Sequence, residues 1–170
     1  MTDWTDINRG VRQGCVMSPD FFNLYSEIIL RNLEDTDEGV IINGKRINNI
    51  RYADDTALVA SSEAGLQRLL DVTEEKSLEL GLEINCKKTF CMVVSKEKPA
   101  PRCTLNCSNT LIEQVDSLNY LGSLISSDGR SEKEIRRRIA LSKSSFTQMQ
   151  TVFQKQKTLH IAKNPASVMF

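Results

Sequence analysis

Two consecutive hairpin signals constrain the fold of this chain more than any other feature of its sequence. In GVIINGKRINNI, Asn43-Gly44 separates two short runs that can pair, as a two-residue type I′ turn requires. Residues 50–60 then predict a second pair of strands, with Asp54 and Asp55 at its tip. The sequence therefore predicts antiparallel pairing in this region.

Helices are predicted on both sides of these hairpins. Ser18 is expected to cap the first helix, with Pro19 at its first position, because a hydroxyl can accept from the free amides there and proline lacks an amide. Ser61 or Ser62 is expected to cap the second helix, which ends just before Gly81. The apolar faces comprise Phe21, Phe22, Tyr25, Ile28, Ile29 and Leu33 in the first helix, and Leu66, Leu69, Leu70, Thr73, Ser77 and Leu80 in the second.

A third helix is predicted near the end of the chain. Ser131 and Glu134 form a Ser-x-x-Glu capping box in front of it. Its stripe comprises Ile135, Ile139, Ser142, Phe146 and Met149.

Further strands are predicted between the second and third helices. LEINCKKTFCMVVS is expected to form strand, turn and strand, TLNCSNTLIEQV a hairpin, and DSLNYLGSLIS one more strand or hairpin. The order of helix, hairpins, helix, hairpins and helix predicts an α+β fold, in which helices cover one face of an antiparallel sheet.

Composition narrows the class of protein. The 170 residues are enough for a buried core, and 22 basic residues balance 22 acidic ones. A net charge of zero provides no overall field that attracts nucleic acid, so any such binding must depend on local patches. With no bilayer-length apolar run and no leader, we expect a soluble intracellular protein without a membrane partner, in the nucleus or the cytoplasm.

Four of the five cysteines raise the question of a metal site. Cys86 with Cys91 and Cys103 with Cys107 could form a zinc site, but their spacings are looser than a two-residue knuckle and the only histidine is His160. We therefore expect reduced thiols and no zinc.

The two adjacent aspartates allow two interpretations. Asp favours turns because its side chain bonds nearby backbone, and this is the commoner reason for an Asp pair at a hairpin tip. A tight turn can also aim both carboxylates of Asp54 and Asp55 into one cleft, where Mg²⁺ would bind them together with substrate phosphates.

Four ordered sequence blocks favour the metal interpretation. YADD at 52–55 follows GVRQGCVMSP by about forty residues, and GLEINCKKT and then YLGSLI come after it. This order resembles the reverse transcriptases of non-LTR retrotransposons, whose palm carries a G-x-RQGC-x-x-SP loop, a Y-x-DD hairpin and a primer grip. EIRRRIALSKSSF is similar to the helix that begins their thumb.

The resemblance implies roles for particular residues. Asp54 would be the principal Mg²⁺ ligand and Asp55 the second, with Lys88 near the leaving pyrophosphate. The partners implied are an RNA template, a DNA primer and deoxynucleotides; the oligomeric state is left open. The implied nucleotide- and template-binding residues are Gly10, Arg12, Gln13, Gly14, Tyr52 and Ala53, and those of the primer grip are Tyr120, Leu121 and Gly122.

The residues alone also allow plainer interpretations. Arg12 fits a solvated loop, Lys88 an exposed turn, and Tyr120 and Leu121 a core. The basic cluster of the third helix fits either a solvated face or a surface that contacts phosphates; it comprises Lys133, Arg136, Arg137, Arg138 and Lys143.

Departures from the family set the expected activity. The family carries another catalytic aspartate on a strand upstream of the loop, and only nine residues precede Gly10. We expect a partial palm over 1–126, the start of a thumb-like region over 127–157 and a divergent tail over 158–170. Polymerisation by this chain alone is expected to be negligible; the alternatives are a nucleic-acid-binding remnant and a translated piece without selected activity.

Overall fold

The computed structural model describes residues 14–97 and 99–162, with side chains up to residue 150. Backbone contacts divide the chain into two compact units. The first unit is formed by Met1–Val93 and Pro101–Val115, and the second by Val94–Ala100 and Asp116–Phe170. The sequence also predicts a short strand from Trp4 to Ile7, and this segment lies outside the described residues.

The described residues of the first unit form two helices and four pairs of strands. Its elements are α1 (Ser18–Arg31), β1 (Val40–Ile42), β2 (Lys45–Ile47), β3 (Asn49–Tyr52), β4 (Asp55–Leu58), α2 (Glu63–Glu79), β5 (Phe90–Cys91), β6 (Asn106–Cys107), β7 (Thr110–Leu111) and β8 (Glu113–Gln114). The second unit contains β9 (Ser117–Tyr120), β10 (Ser123–Ser126) and α3 (Glu132–Ala162).

The mixed α and β composition is confirmed, but the single antiparallel sheet is wrong for the described residues. Their strands form five separate two-stranded pairs: β1–β2, β3–β4, β6–β7 and β9–β10 are antiparallel, whereas β5–β8 is parallel. Each of these strands is two to four residues long, so its unpaired edge is short. The segment before β5 also differs from the prediction, since it lacks a strand and turns at 86–88.

Two apolar clusters stabilise the first unit. One joins Ile29, Leu30 and Leu33 of α1 and its C-terminal extension to Leu69 of α2. The other, which includes the next residue of α2, comprises Leu70, Cys91, Leu105, Cys107 and Ile112. Leu58 at the end of β4 packs against both clusters.

The beginning of α1 differs from the prediction. Ser18 is the first helical residue rather than the cap, and its Oγ donates to the Cys15 carbonyl at 2.8 Å. Pro19 is therefore second in the helix. The buried face is also narrower than expected, because Phe21 and Ile28 are 51% and 55% exposed.

The beginning and end of α2 confirm the prediction. Ser62 is the cap, since its Oγ accepts from the Gly65 amide at 3.1 Å, and Gly81 follows the helix with φ of +74°. The first hairpin is confirmed as well. Asn43 and Gly44 both have positive φ, 50° and 76°, as a type I′ turn requires.

Side chains of α2 cover the outer edge of β6. Glu63 Oε1 accepts from the Thr104 amide at 3.3 Å, and Glu74 Oε2 accepts from the Ser108 amide at 3.2 Å. Between them, the side chain of Gln67 donates through Nε2 to the main-chain carbonyl of Asn106 and accepts through Oε1 from the main-chain amide of Asn106, both at 2.9 Å. The helix thus satisfies alternate backbone groups that would otherwise form an open strand edge.

In α3, the predicted stripe lies on an exposed surface. Ile135, Ile139, Phe146 and Met149 are all about half exposed or more. The capping box is also wrong, because the Glu134 carboxylate accepts from Leu124, Arg137 and Arg138 instead of the Ser131 amide. No helix in the described part of the chain is long and apolar enough to cross a bilayer.

Asn48 ties the second hairpin to α1. The side-chain amide of Asn48 is buried and donates to the Leu33 carbonyl, just beyond the helix, at 2.5 Å. The main-chain carbonyl of Asn48 accepts from the Val59 amide at 2.8 Å. Sequence patterns gave no indication of this contact, because asparagine is common in turns between strands.

We predict that Asn48→Ala lowers the free energy of unfolding by about 1 kcal/mol, because it removes one buried hydrogen bond to the Leu33 carbonyl, which keeps its bonds from Thr36. Urea denaturation would measure the loss. Asn85→Ala is the matched control, since the Asn85 side chain is exposed and makes no hydrogen bond in the structure; its effect should stay within about 0.5 kcal/mol. Equal losses in both variants would contradict the assignment.

Candidate functional site

The aspartate pair lies at one end of the β3–β4 hairpin. Tyr52 pairs directly with Asp55, so the two-residue turn consists of Ala53 and Asp54. The expectation that both aspartates occupy the tip is therefore half right: Asp54 lies in the turn, whereas Asp55 is the first residue of β4. The pairing register of the two strands decides which aspartate lies in the turn. Two adjacent turn-forming residues do not reveal that register from sequence.

The turn has an unusual backbone conformation. Ala53 has φ of +51°, a left-handed conformation that costs a residue with a Cβ about 1–2 kcal/mol. Glycine or asparagine is the usual residue there, and their absence explains why the sequence indicated the tip only through its aspartates and not through Ala53. The surrounding hairpin must therefore hold the turn closed.

The hairpin is anchored at its base and exposed at its tip. Leu58 is inserted between the two apolar clusters, and Arg51 Nη1 lies 2.6 Å from Glu27 Oε2 of α1. Tyr52 is 66% exposed, and both aspartates are exposed. The structure thus presents two adjacent carboxylates on a fixed support, with their oxygens open to a ligand.

The chemistry of this pair fits a hard divalent cation. Magnesium is usually bound by one or two carboxylates, with water and substrate phosphates completing its octahedral coordination. Asp54 and Asp55 supply such carboxylates. No group of three or more His, Cys, Asp or Glu side chains arranged to hold a metal occurs in the part of the chain that the structure describes.

The other predicted nucleotide-site residues in the first unit are less defined by contacts. Lys88 is exposed in the turn at 86–88, where its amide donates to the Asn85 carbonyl at 2.9 Å. No hydrogen bond or ion pair of the described residues joins its side chain to the aspartates. Gly14 is exposed with φ of +85°, while Gly10, Arg12 and Gln13 lie outside the described residues.

The predicted primer grip forms the turn of the β9–β10 hairpin in the second unit. Leu121 and Gly122 have φ of 49° and 77°, both positive as in a type I′ turn, and Tyr120 and Ser123 pair on either side. Leu121 is about half exposed and Tyr120 is half-buried, so the alternative of plain core residues does not describe the turn. The Leu121 side chain is therefore accessible at the turn.

Glu134 connects this hairpin to α3. Its Oε2 accepts from the Leu124 amide at 2.9 Å and from Arg137 Nε at 2.8 Å, and its Oε1 accepts from Arg138 Nε at 2.6 Å. Arg137 Nη2 also donates to the Gly122 carbonyl at 2.6 Å, and Arg138 Nη2 to Ser123 Oγ at 3.1 Å. We call this set, Glu134 with Arg137 and Arg138, the carboxylate clamp.

The clamp changes how the basic cluster is interpreted. Arg137 and Arg138 are paired with Glu134, and Arg136 is paired with Glu132 at 2.6 Å. Lys133 and Lys143 form no ion pair among the described residues. A count of charges did not reveal this difference, although arginines three and four residues after a glutamate indicate pairing on a helix.

The clamp lowers the pKa of its carboxyl group. The hydrogen bond from Arg137, followed by those from Leu124 and Arg138, lowers the pKa of Glu134 from 4.5 to about 2. A carboxyl whose pKa falls on folding stabilises the folded state above its unfolded pKa, and this contribution disappears as the pH falls toward the folded pKa.

We therefore predict that the stability difference between the wild type and Glu134→Ala is constant above about pH 4.5 and shrinks between pH 4.5 and 2. Denaturant unfolding at a series of pH values would measure it. Glu132→Ala is the control, because Glu132 contacts only the exposed Arg136 and should show a small difference throughout. A difference that is unchanged near pH 2 would contradict the clamp.

The cysteines pair differently from the possible zinc grouping. The Cys91 thiol contacts Cys103 and the Cys107 thiol contacts Cys86, all four in or against one apolar cluster. Burial first, and then the neighbouring thiol, raises the pKa of Cys91 and of Cys107 to about 12. All five cysteines are free thiols, and Cys91 and Cys107 stay protonated near neutral pH.

Comparison with known proteins agrees with the order of the sequence blocks. A family model described as reverse transcriptase (RNA-dependent DNA polymerase) matches residues 3–125. The Pol polyprotein of the type-2 retrotransposable element R2DM of Drosophila melanogaster is 32% identical over 131 residues, which are 72% of this chain and 12% of that protein.

Two further relatives show the same similarity. The Pol polyprotein of the type-1 retrotransposable element R2 of Nasonia vitripennis is 34% identical over 135 residues, 74% of this chain and 13% of that protein. A transposon-derived protein of Caenorhabditis elegans is 33% identical over 98 residues, 57% of this chain and 35% of its own length. The chain thus spans about an eighth of the two Pol polyproteins.

Proposed function

The chain belongs to the reverse transcriptase family of non-LTR retrotransposons, and from this membership we propose that it contributes a carboxylate-bearing hairpin to Mg²⁺-dependent, RNA-templated DNA synthesis. The observation that carries the proposal is the position of Asp54 and Asp55 on an anchored hairpin with an exposed tip. In this proposal residues 1–126 are part of the palm, 127–157 begin the thumb and 158–170 diverge.

The proposed roles follow from the chemistry of each side chain. Asp54 in the turn would be the principal ligand of Mg²⁺, and Asp55 would be the second. Bound magnesium would neutralise charge that develops on the attacking and leaving oxygens. Lys88 would hold the leaving pyrophosphate. The proposed nucleotide and template contacts are Gly10, Arg12, Gln13, Gly14, Tyr52 and Ala53, and the proposed primer contacts are Tyr120, Leu121 and Gly122.

The anchored base of the hairpin supports this assignment. Nucleotidyl transfer requires that reacting atoms be held within a fraction of an ångström of their productive positions. Leu58 and Arg51 fix the strands that carry the aspartates, and the left-handed Ala53 keeps the turn tight. The carboxylates therefore project from a rigid element instead of a free loop.

We predict that Fe²⁺, used in place of Mg²⁺ with ascorbate and peroxide, cleaves the backbone near the Asp54 turn, and that excess Mg²⁺ suppresses the cleavage. Asp54→Ala should abolish the local cleavage. Asp35→Ala, which removes another exposed turn aspartate, should leave it unchanged. Mass spectrometry of the fragments would locate the cut, and equal cleavage in both variants would overturn the metal assignment.

We also propose that the two carboxylates need a further ligand before they support efficient catalysis, since a two-metal clamp normally draws on more than one element of the fold. The expected result of a primer-extension assay with the chain alone is negligible incorporation. Incorporation that depends on Mg²⁺ and is abolished by Asp54→Ala would contradict this expectation and would establish an active polymerase.

Nucleic-acid binding without chemistry is a second candidate function. It is favoured by the exposed cations on α3, namely Lys133 and Lys143, which form no ion pair among the described residues, and the 78% exposed side chain of Arg136. Cations in such positions release counterions from phosphates when they bind, which makes affinity depend on salt.

We predict that Lys133→Ala and Lys143→Ala each reduce the slope of log K against log salt for an RNA–DNA hybrid by about 1. Lys45→Ala in the β1–β2 hairpin is the control and should leave the slope unchanged. Fluorescence anisotropy over a salt series would give the slopes. A slope that is equally insensitive to all three substitutions would exclude α3 as the contact surface.

A further inference from the structure

We propose that Glu134 is a positioning residue for the primer strand, because its carboxylate fixes the β9–β10 turn to the first turns of α3. The part of this inference that concerns a primer rests on the proposed function. The clamp itself consists of contacts within the second unit. The set of hydrogen bonds is large for one side chain, which is only 13% exposed on a helix of mostly exposed residues.

The contacts of the clamp reach three successive residues of the hairpin. Gly122 is held through its carbonyl, Ser123 through its hydroxyl and Leu124 through its amide. The first two contacts are made by Arg137 and Arg138, and Glu134 orients both guanidinium groups. A single carboxylate thus controls all of these contacts with the turn.

The Leu124 amide reports the clamp directly. Ser123 and Tyr120 close the turn, so the next pair, Leu124 and Asn119, is one whose amides point away from the partner strand. The Leu124 amide donates instead to Glu134 at 2.9 Å. Its protection from hydrogen exchange therefore depends on Glu134 and not on pairing within the hairpin.

The clamp also withholds two cations from phosphate. Arg137 and Arg138 donate to Glu134, and both lie beside the turn that is proposed to hold the primer. Removing the carboxylate would free up to two positive charges while releasing the turn. A loss of positioning and a gain of electrostatic affinity are thus expected together, a combination that ordinary destabilisation does not produce.

The test compares Glu134→Ala with Glu132→Ala, which removes the same atoms and charge from a site that does not contact the hairpin. In the free chain, we expect the Leu124 amide to exchange about tenfold faster or more in Glu134→Ala and unchanged in Glu132→Ala. The Ser127 amide, bonded to the Asp116 carbonyl at 2.9 Å, should exchange at the wild-type rate in both variants.

A second arm adds an RNA template annealed to a DNA primer with a recessed 3′ end. We expect the duplex to slow exchange over 117–124 in the wild type and in Glu132→Ala, but not in Glu134→Ala. The salt slope of binding should become steeper by up to about 2 in Glu134→Ala, because two arginines become available to phosphates.

The possible results separate the two proposals. Unchanged exchange at Leu124, or faster exchange that includes Ser127, would overturn the positioning role, because the clamp would then be absent or would serve general stability. A wild-type turn that the duplex does not protect would overturn the primer role of the turn and with it the role of Glu134. In that case faster exchange at Leu124 alone would still show that the clamp exists.

Discussion

Leu58 is the contact on which the candidate site depends. It ends the strand that begins with Asp55, and its side chain packs against both the apolar cluster shared with α1 and the cluster formed around Leu70 of α2. Because each cluster closes around the same residue, the hairpin cannot shift along its axis without opening both. The position of the exposed tip therefore depends on a partly buried residue three places along the strand from Asp55.

Asn48 completes this support through polar contacts. Its side-chain amide bonds to the Leu33 carbonyl beyond α1, and its main-chain carbonyl accepts from Val59, the residue after β4, so Asn48 links the base of the hairpin to the end of α1. Apolar packing sets the depth of the hairpin, and the hydrogen bonds of Asn48 set its orientation relative to α1. Neither group is a candidate for chemistry, yet both determine where the two carboxylates can lie.

Sequence patterns predicted local elements better than their assembly. The Asn43-Gly44 turn, the Ser62 cap and the Gly81 terminus depend on a few neighbouring residues, and the structure confirms all three. The exact turn at Ala53 and Asp54 depends on pairing along the whole hairpin, and the two adjacent aspartates marked the tip without fixing the register. The expected continuous sheet failed because pairing between hairpins depends on long-range packing, which local propensity does not encode.

The candidate site shows the same contrast. The YADD hairpin and the β9–β10 turn were found from short motifs, whereas Glu134 was assigned to a capping box because that motif is also local. Of its actual partners, the Leu124 amide lies in a hairpin ten residues earlier, and Arg137 and Arg138 lie on its own helix. Charge counting likewise grouped five basic residues that the structure separates into paired arginines and unpaired lysines.

The hydrogen bonds along the edge of β6 limit where residues can be inserted into α2 or into the segment around β6. Gln67 acts as a substitute for a neighbouring strand, since it both donates to and accepts from Asn106, and Glu63 and Glu74 continue the same row. A strand repeats every two residues and a helix every 3.6, so the match holds in only one phase. One residue inserted into either segment would turn its hydrogen-bonding groups away from the other. Changes in length can therefore be absorbed in the connectors beyond this row but not within it.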